Sequence, residues 1–216
     1  MLKRLQRALR YRLGLHVVAP QLAEGTDDGV VAYYNSRRSL SSFLEDPDHY
    51  ERPRVDWILQ SVKGGYALEM GCADGGMTAL LSSRVDRLLA VDVSEASVLA
   101  LANRGLTHVE TRVSLAESFE TAERFDWIIM SEFLEHVRDP ATLVRRSLKW
   151  LAPGGRLLAS SPEGRWEADS IEHLHEFTLS SWATLFTDAG ARSARVFRIR
   201  DRAGRDRWLG ADVSTG

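Results

Sequence analysis

The sequence has 216 residues, of which 44% are hydrophobic and 27% are charged, a composition typical of one soluble globular domain. A formal net charge of −2 argues against broad electrostatic binding to nucleic acid. The only cysteine, Cys72, excludes an internal disulfide and fits a reducing, cytoplasmic compartment. No apolar run approaches the ~20 residues that a membrane-spanning helix needs.

The chain begins with a basic segment. Residues 1–13 carry five Lys or Arg side chains and no acidic ones, and four leucines share one helical face. One interpretation is a basic amphipathic helix that makes peripheral contact with the inner face of an anionic membrane. The other is a solvated helix that packs on the domain, because charged runs usually face water.

A helix and the most informative stretch of the chain come next. Val55, Ile58, Leu59 and Val62 are spaced i, i+3, i+4 and i+7, which predicts a helix that covers a sheet. Residues 66–76 then read as a buried strand, a glycine-rich turn and the start of another helix. Glycine permits a tight turn and close approach of a ligand to the N–H groups at the helix start. This order is typical of a nucleotide-type binding fold.

An acidic residue ends the next predicted strand and strengthens this interpretation. Asp92 follows the apolar run that begins at Leu88, and its separation from Glu69 is 92 − 69 = 23 residues, one strand-helix-strand unit. A carboxylate at this place can accept hydrogen bonds from both hydroxyls of a ribose.

The glycine turn is compatible with two cofactors. Gly71-x-Ala73-x-x-Gly76 loosely satisfies the dinucleotide fingerprint of a dehydrogenase, and Gly71-x-Ala73-x-Gly75 satisfies a glycine motif that suits S-adenosyl-L-methionine. Glu69 favours the second cofactor, because a carboxylate repels a pyrophosphate but attracts an ammonium and a sulfonium.

The rest of the chain alternates strands with capped helices. Ser94, Asp139-Pro140 and Thr178 are predicted helix starts. Residues 161–177 lack periodicity and are predicted to form a ligand-binding loop at the sheet edge. The further predicted strands are 106–113, 125–131, 156–160, 195–199 and 208–213, the last two joined as a hairpin.

These motifs, in this order, resemble class I S-adenosylmethionine-dependent methyltransferases of the small-molecule, type 11 and type 23-like kind. The resemblance covers roughly residues 55–190 and includes Leu134-Glu135-His136 and the turn that ends at Gly155. It implies a single Rossmann-like α/β domain with a mostly parallel seven-stranded sheet, helices on both faces and a C-terminal antiparallel hairpin. Residues 51–216 would form the methyltransferase domain, and residues 1–50 a basic helix and a lid segment.

The resemblance also implies the cofactor site. Ala73 stands where the family usually has glycine, and Ser114 stands where it often has aspartate, so Ser114 keeps a hydroxyl and loses a charge. The expected S-adenosyl-L-methionine-binding residues are Glu69, Gly71, Ala73, Gly75, Asp92, Val93, Ser114, Leu115 and Ser131.

The expected activity is O-methylation of a hydroxyl on a sugar, glycan or other small molecule. A hydroxyl acceptor needs a base, and imidazole titrates near neutral pH. The candidate bases are His175, His136 and His173. His175 is the first choice because it lies in the predicted substrate loop, and His136 is expected only to support the neighbouring loop.

Two alternatives stay open. Glu132, Glu135 and His136 would share one face of a helix and, with His175, hold a divalent metal. That arrangement is similar to the metal-dependent small-RNA 2′-O-methyltransferases, but we expect no metal and no nucleic-acid partner. The other alternative is a non-catalytic cofactor-binding protein, which would need no base in residues 161–177.

Overall fold

The computed structural model describes residues 17–18, 25–36, 40–164 and 172–215. The predicted membrane contact through residues 1–13 lies outside them. The helices in the described part are α1 (Asp27–Asn35), α2 (Arg52–Ser61), α3 (Gly76–Ser82), α4 (Glu95–Ala102), α5 (Pro140–Trp150) and α6 (Leu179–Asp188). The strands are β1 (Val17–Val18), β2 (Tyr66–Met70), β3 (Arg87–Asp92), β4 (Val109–Val113), β5 (Phe125–Ser131), β6 (Leu151–Pro162), β7 (His175–Glu176), β8 (Ser193–Arg200) and β9 (Asp206–Ser214).

The predicted helix starts are confirmed by their capping hydrogen bonds. The side chain of Ser94 accepts from the Ser97 amide at 3.3 Å, and that of Asp139 accepts from the Thr142 amide at 3.0 Å. Thr178 forms a capping box at the start of α6. Each cap satisfies an amide that the first helical turn leaves without a partner.

Seven strands form one sheet in the order β4-β3-β2-β5-β6-β9-β8. The strands from β4 to β6 are parallel, and β9 pairs antiparallel with both β6 and β8. The implied seven-stranded fold with its closing hairpin is therefore confirmed. The chain moves outward from β2 to β4, then returns to place β5 on the other side of β2. Ligands of such sheets bind where the strand order reverses, outside the carboxyl ends of the strands.

The two faces of the sheet bury separate apolar layers. Leu68 and Met70 pack with the apolar faces of α5 and α6, whereas Ala67 packs with α2 and α3. This alternation follows from the period of two in a strand. Burial of a single leucine or methionine contributes about 1.5–3 kcal/mol, so the two layers hold the strand ends in fixed register.

The structure corrects three local expectations. The passage predicted to place Glu132, Glu135 and His136 on one helical face forms only a short 3₁₀ turn at Leu134–His136, because Glu132 has a left-handed φ of 52° that an α-helix cannot contain. The loop predicted over residues 161–177 contains β7, which pairs with β1. The third strand begins at Val109 rather than Leu106.

No helix in the described ranges is long and apolar enough to cross a membrane.

Candidate active site

A cavity of about 360 Å³ opens at the carboxyl ends of β2, β3, β4 and β5. Its size falls within the range of small-molecule sites. Gly75 does not line it, but has φ of 88° and caps α3, so it shapes the turn. The predicted cofactor residues that do line the cavity are Glu69, Gly71, Ala73, Asp92, Val93, Ser114, Leu115 and Ser131.

The glycine turn is held open by left-handed backbone. A Cβ on Gly71, which has φ of 79°, would lie 2.4 Å from the ring of Phe133. Ala73 has φ of 47°, so the departure from glycine keeps the left-handed conformation at the price of some strain. The Ala73 amide donates to Asp92 at 2.9 Å, which couples this turn to the end of β3.

The carboxylate of Asp92 is oriented by two backbone amides. Its Oδ2 accepts from Ala73 and its Oδ1 accepts from Ser94, each at 2.9 Å. Burial raises the pKa of Asp92, and the amide hydrogen bonds oppose that shift. Each oxygen keeps a further lone pair, which is what recognition of two neighbouring hydroxyls requires.

Glu69 lies deeper in the cavity and is 2% exposed. Its Oε2 accepts from the hydroxyl of Thr78 at 2.7 Å. Burial raises the pKa of Glu69 to about 8, with a further upward contribution from the charge of Asp92. The carboxyl group is thus poised to ionise when a cation approaches it.

Arg54 is a cavity residue that the sequence interpretation missed. It is 2% exposed, and its guanidinium contacts Ser131 and Glu51. Its Nε lies 3.7 Å from Glu132 and has no hydrogen bond within the described residues. A single arginine near the start of an amphipathic helix normally faces water, so nothing in the local sequence singles it out.

His136 also lines the cavity, and one contact decides which of its ring nitrogens carries the proton. Its Nδ1 lies 3.1 Å from the backbone carbonyl oxygen of Glu172, which can only accept, so Nδ1 carries the proton and Nε2 keeps its lone pair. Burial lowers the pKa of His136 to about 4, although the bond to Glu172 opposes this. The ring is therefore neutral at physiological pH.

His173 also lines the cavity, and its ring meets that of His136 edge-on at 4.9 Å. His175, the first choice from sequence, does not line the cavity. It is 4% exposed, its Nε2 donates to the carbonyl oxygen of Val137 at 2.6 Å, and its ring stacks on Phe177. The structure brings His136 and His173 together in the cavity, whereas His175 is buried outside its lining.

Glu135, His136 and His173 form a group whose potential ligand atoms lie within 4.8 Å of one another. Glu132 and His175, which the sequence had placed in such a set, are outside this group. Glu135 is 1% exposed, and neither of its carboxylate oxygens makes a hydrogen bond of standard geometry within the described residues. Burial, and then the charge of Glu132, raise the pKa of Glu135 well above its ordinary value.

The sheet order, the glycine turn and the acid at the end of β3 are typical of S-adenosylmethionine-dependent methyltransferases. The chain belongs to the Methyltransf_23 methyltransferase domain family, which matches residues 48–194. S-adenosyl-L-methionine is the cofactor of this family, so the expected cofactor and the expected enzyme class are both confirmed.

Curated relatives match the same region. An O-methyltransferase of ubiquinone biosynthesis from Leptothrix cholodnii is 32% identical over 57% of this chain and 62% of its own length. An enzyme of the same name from Stutzerimonas stutzeri is 32% identical over 53% of each chain. The chain thus spans roughly half to three-fifths of the length of these relatives.

Solved structures share the fold. DhpI in complex with S-adenosylhomocysteine has a TM-score of 0.72 at 21% identity and covers 88% of this chain and 99% of its own. The N-methyltransferase NodS from Bradyrhizobium japonicum, also with S-adenosylhomocysteine, has a TM-score of 0.67 at 22% identity, over 85% of this chain and 97% of its own. At these identities the likeness shows the fold alone.

Proposed function

We propose that this protein transfers a methyl group to a hydroxyl of a small molecule, with His136 as the base that accepts the hydroxyl proton. The observation that carries the proposal is the neutral imidazole of His136, with its proton held on Nδ1, in the same cavity as Asp92. A neutral ring whose Nε2 carries a lone pair is the form that can accept a proton. His173 stays a second candidate for the base, and His175 a weaker one because it does not line the cavity.

The polar groups of the cavity fit the parts of S-adenosyl-L-methionine. Asp92 suits the ribose hydroxyls, and Glu69 suits the ammonium group. Arg54 suits the carboxylate, because its buried Nε makes no hydrogen bond within the described residues, although its guanidinium also contacts Glu51. When bound, the cofactor supplies a methyl group that its sulfonium has already activated. Besides accepting the hydroxyl proton, the chain must align the acceptor with this methyl group. Such alignment lowers the reaction barrier by ~7–11 kcal/mol in favourable cases.

The lid assignment for the segment before residue 50 is also part of the proposal. Val30 and Tyr34 of α1 and Leu40 and Ser41 after it line the cavity. The Ser41 hydroxyl accepts from the Gly76 amide and donates to Asp74, both at 2.8 Å, so this segment is attached to the glycine turn itself. Such a cover excludes water from the reacting groups.

The relatives favour one kind of hydroxyl. Their name assigns them to ubiquinone biosynthesis, which supports a precursor of that small molecule as acceptor over a sugar or glycan. A sugar acceptor is retained only as one arm of the test, and peripheral membrane contact through residues 1–13 stays a prediction.

The test is transfer of isotope-labelled methyl from S-adenosylmethionine to a panel of a catechol, a sugar and a primary amine, with and without a chelator. We expect label on the catechol oxygen, unaffected by chelator. Label on the amine alone would overturn the hydroxyl assignment. Catechol labelling that the chelator abolishes would support a different function, a metal-assisted methyl transfer. The group of Glu135, His136 and His173 favours this alternative because these residue types suit a divalent cation.

Cofactor binding is expected to release a proton at Glu69. An ammonium group beside Glu69 favours its ionised form, so affinity for S-adenosylhomocysteine should rise as the pH increases from about 5.5 to 7.5 and flatten near the pKa of about 8. Calorimetry at pH 6.5 in two buffers of different ionisation enthalpy should report release of about one proton. The Glu69→Gln variant should bind without that release; an equal release from the variant would assign the proton to another group.

A further inference from the structure

We infer that Tyr33 of α1 is a positioning residue that holds His136 in its reactive orientation and tautomer by fixing Glu172. The inference rests on the proposed role of His136 as the base. Tyr33 does not line the cavity, so it would act on the acceptor only through the residues between them.

Two hydrogen bonds carry the connection. The Tyr33 hydroxyl donates to Oε1 of Glu172 at 3.0 Å. The backbone carbonyl of the same Glu172 accepts from Nδ1 of His136 at 3.1 Å. One residue therefore presents its side chain to α1 and its carbonyl to the imidazole. Any rotation of Glu172 that moved this carbonyl would remove the contact that fixes the proton on Nδ1.

Glu172 needs such an anchor because it belongs to no helix or strand. It lies in a turn, three residues before β7. The neighbouring Leu174 amide donates to the carbonyl oxygen of Glu135 at 2.7 Å, which ties the segment to the 3₁₀ turn that carries His136. The Tyr33 bond joins the same segment to α1, on the other side.

The helix that provides the anchor is itself fixed at both ends. At its start, the guanidinium of Arg138 contacts Asp27 and donates to the carbonyl oxygen of Gly25. At its end, the side chain of Asn35 accepts from the Glu95 amide at 2.9 Å, three residues beyond Asp92. Helix α1 is thus bonded both to the segment that follows Asp92 and to the segment that contacts His136.

Tyr34 completes the arrangement. Its ring lies edge-on to that of Tyr33 at 5.2 Å, it lines the cavity, and its hydroxyl is 3.5 Å from Nδ1 of His136. Burial, and then the charge of Glu172, raise the pKa of Tyr34, so its hydroxyl stays protonated. Tyr34 shields the Nδ1 side of the ring, while Tyr33 holds the carbonyl that receives its proton.

The test is the Tyr33→Phe variant, which keeps the ring contact with Tyr34 and removes only the hydroxyl. We expect kcat for methyl transfer to fall about 10-fold, a part of the 10²–10⁴ that general-base catalysis supplies. Affinity for S-adenosylhomocysteine and KM for the cofactor should stay within about twofold. The ¹⁵N shifts of the His136 ring should move from the pure Nδ1–H tautomer toward a mixture.

The matched control is Tyr66→Phe. Tyr66 also donates its hydroxyl to a glutamate, Glu123, at 3.0 Å, but lies at the amino end of β2, opposite the cavity. The Tyr66→Phe variant should change neither kcat nor the ¹⁵N shifts of the His136 ring. Equal losses in the two variants would reduce the Tyr33 effect to general stability and overturn the inference.

The two readouts separate the inference from the proposed function. If Tyr33→Phe leaves both kcat and the His136 tautomer unchanged while His136→Asn abolishes transfer, the inference fails and the proposed base stands. If the tautomer shifts in Tyr33→Phe but His136→Asn transfers methyl normally, Tyr33 positions the ring and the proposed base fails.

Discussion

Replacement of His136 by asparagine is expected to lower kcat by a factor of about 10²–10⁴, the contribution of a general base. Asparagine can still donate to the carbonyl oxygen of Glu172, which preserves the local hydrogen bond, but it has no lone pair that accepts a proton at neutral pH. Affinity for S-adenosylhomocysteine should be little changed, since His136 is proposed to act on the acceptor and not on the cofactor. Steady-state methyl transfer and calorimetric titration measure the two quantities.

The control for this prediction is His175→Asn. Because His175 is buried, does not line the cavity and donates to the Val137 carbonyl, its replacement should reduce stability by about 1–3 kcal/mol and leave kcat within a few-fold of wild type. A larger loss of kcat in His175→Asn than in His136→Asn would restore the base first predicted from the sequence.

Replacement of Asp92 by asparagine is expected to weaken binding of S-adenosylhomocysteine by about 100-fold. The carboxylate accepts from two backbone amides, and an amide side chain would turn one N–H toward another N–H donor. The charge-assisted hydrogen bonds to the ribose would also be lost, and such bonds are worth about 1.5–3 kcal/mol each. Calorimetry measures the loss, and circular dichroism confirms that the variant is folded.

A matched control exists for this carboxylate. Asp86 accepts from the Gly65 amide at 2.7 Å at the amino end of β3, opposite the cavity. Asp86→Asn should bind S-adenosylhomocysteine with wild-type affinity. Wild-type affinity in Asp92→Asn as well would mean that the acid at the end of β3 does not hold the ribose.

The parts of the fold that depend on local sequence were predictable. Helix starts at Ser94, Asp139 and Thr178 follow from side chains that cap the amides next to them. The glycine turn follows β2 and Asp92 ends β3, and these two strands pair in register, with Met70 opposite Val91. A motif read along the chain therefore becomes one edge of the cavity.

Several contacts around the cavity were less predictable because distant segments of the chain make them. Tyr34 is 102 residues from His136, and Tyr33 is 139 residues from Glu172. Arg54 contacts Ser131, which is 77 residues away, from a helix that was predicted only from the spacing of its apolar residues. No local periodicity reports such contacts.

The predicted metal ligands and the predicted base differ from those in the structure because local backbone conformation and long-range strand pairing are not visible in the sequence pattern. The left-handed backbone at Glu132 breaks the expected helix, so Glu132 and Glu135 do not share a face. The pairing of β7 with β1 commits His175 to a strand, which composition of the 161–177 segment did not indicate.

The most direct test is a crystal structure of the protein with S-adenosylhomocysteine and the hydroxyl acceptor identified by the labelling panel. We expect the acceptor oxygen within about 2.6–3.2 Å of Nε2 of His136, with the ribose on Asp92. An acceptor oxygen bound instead to a metal ion between Glu135, His136 and His173, or placed beside another base, would contradict the account.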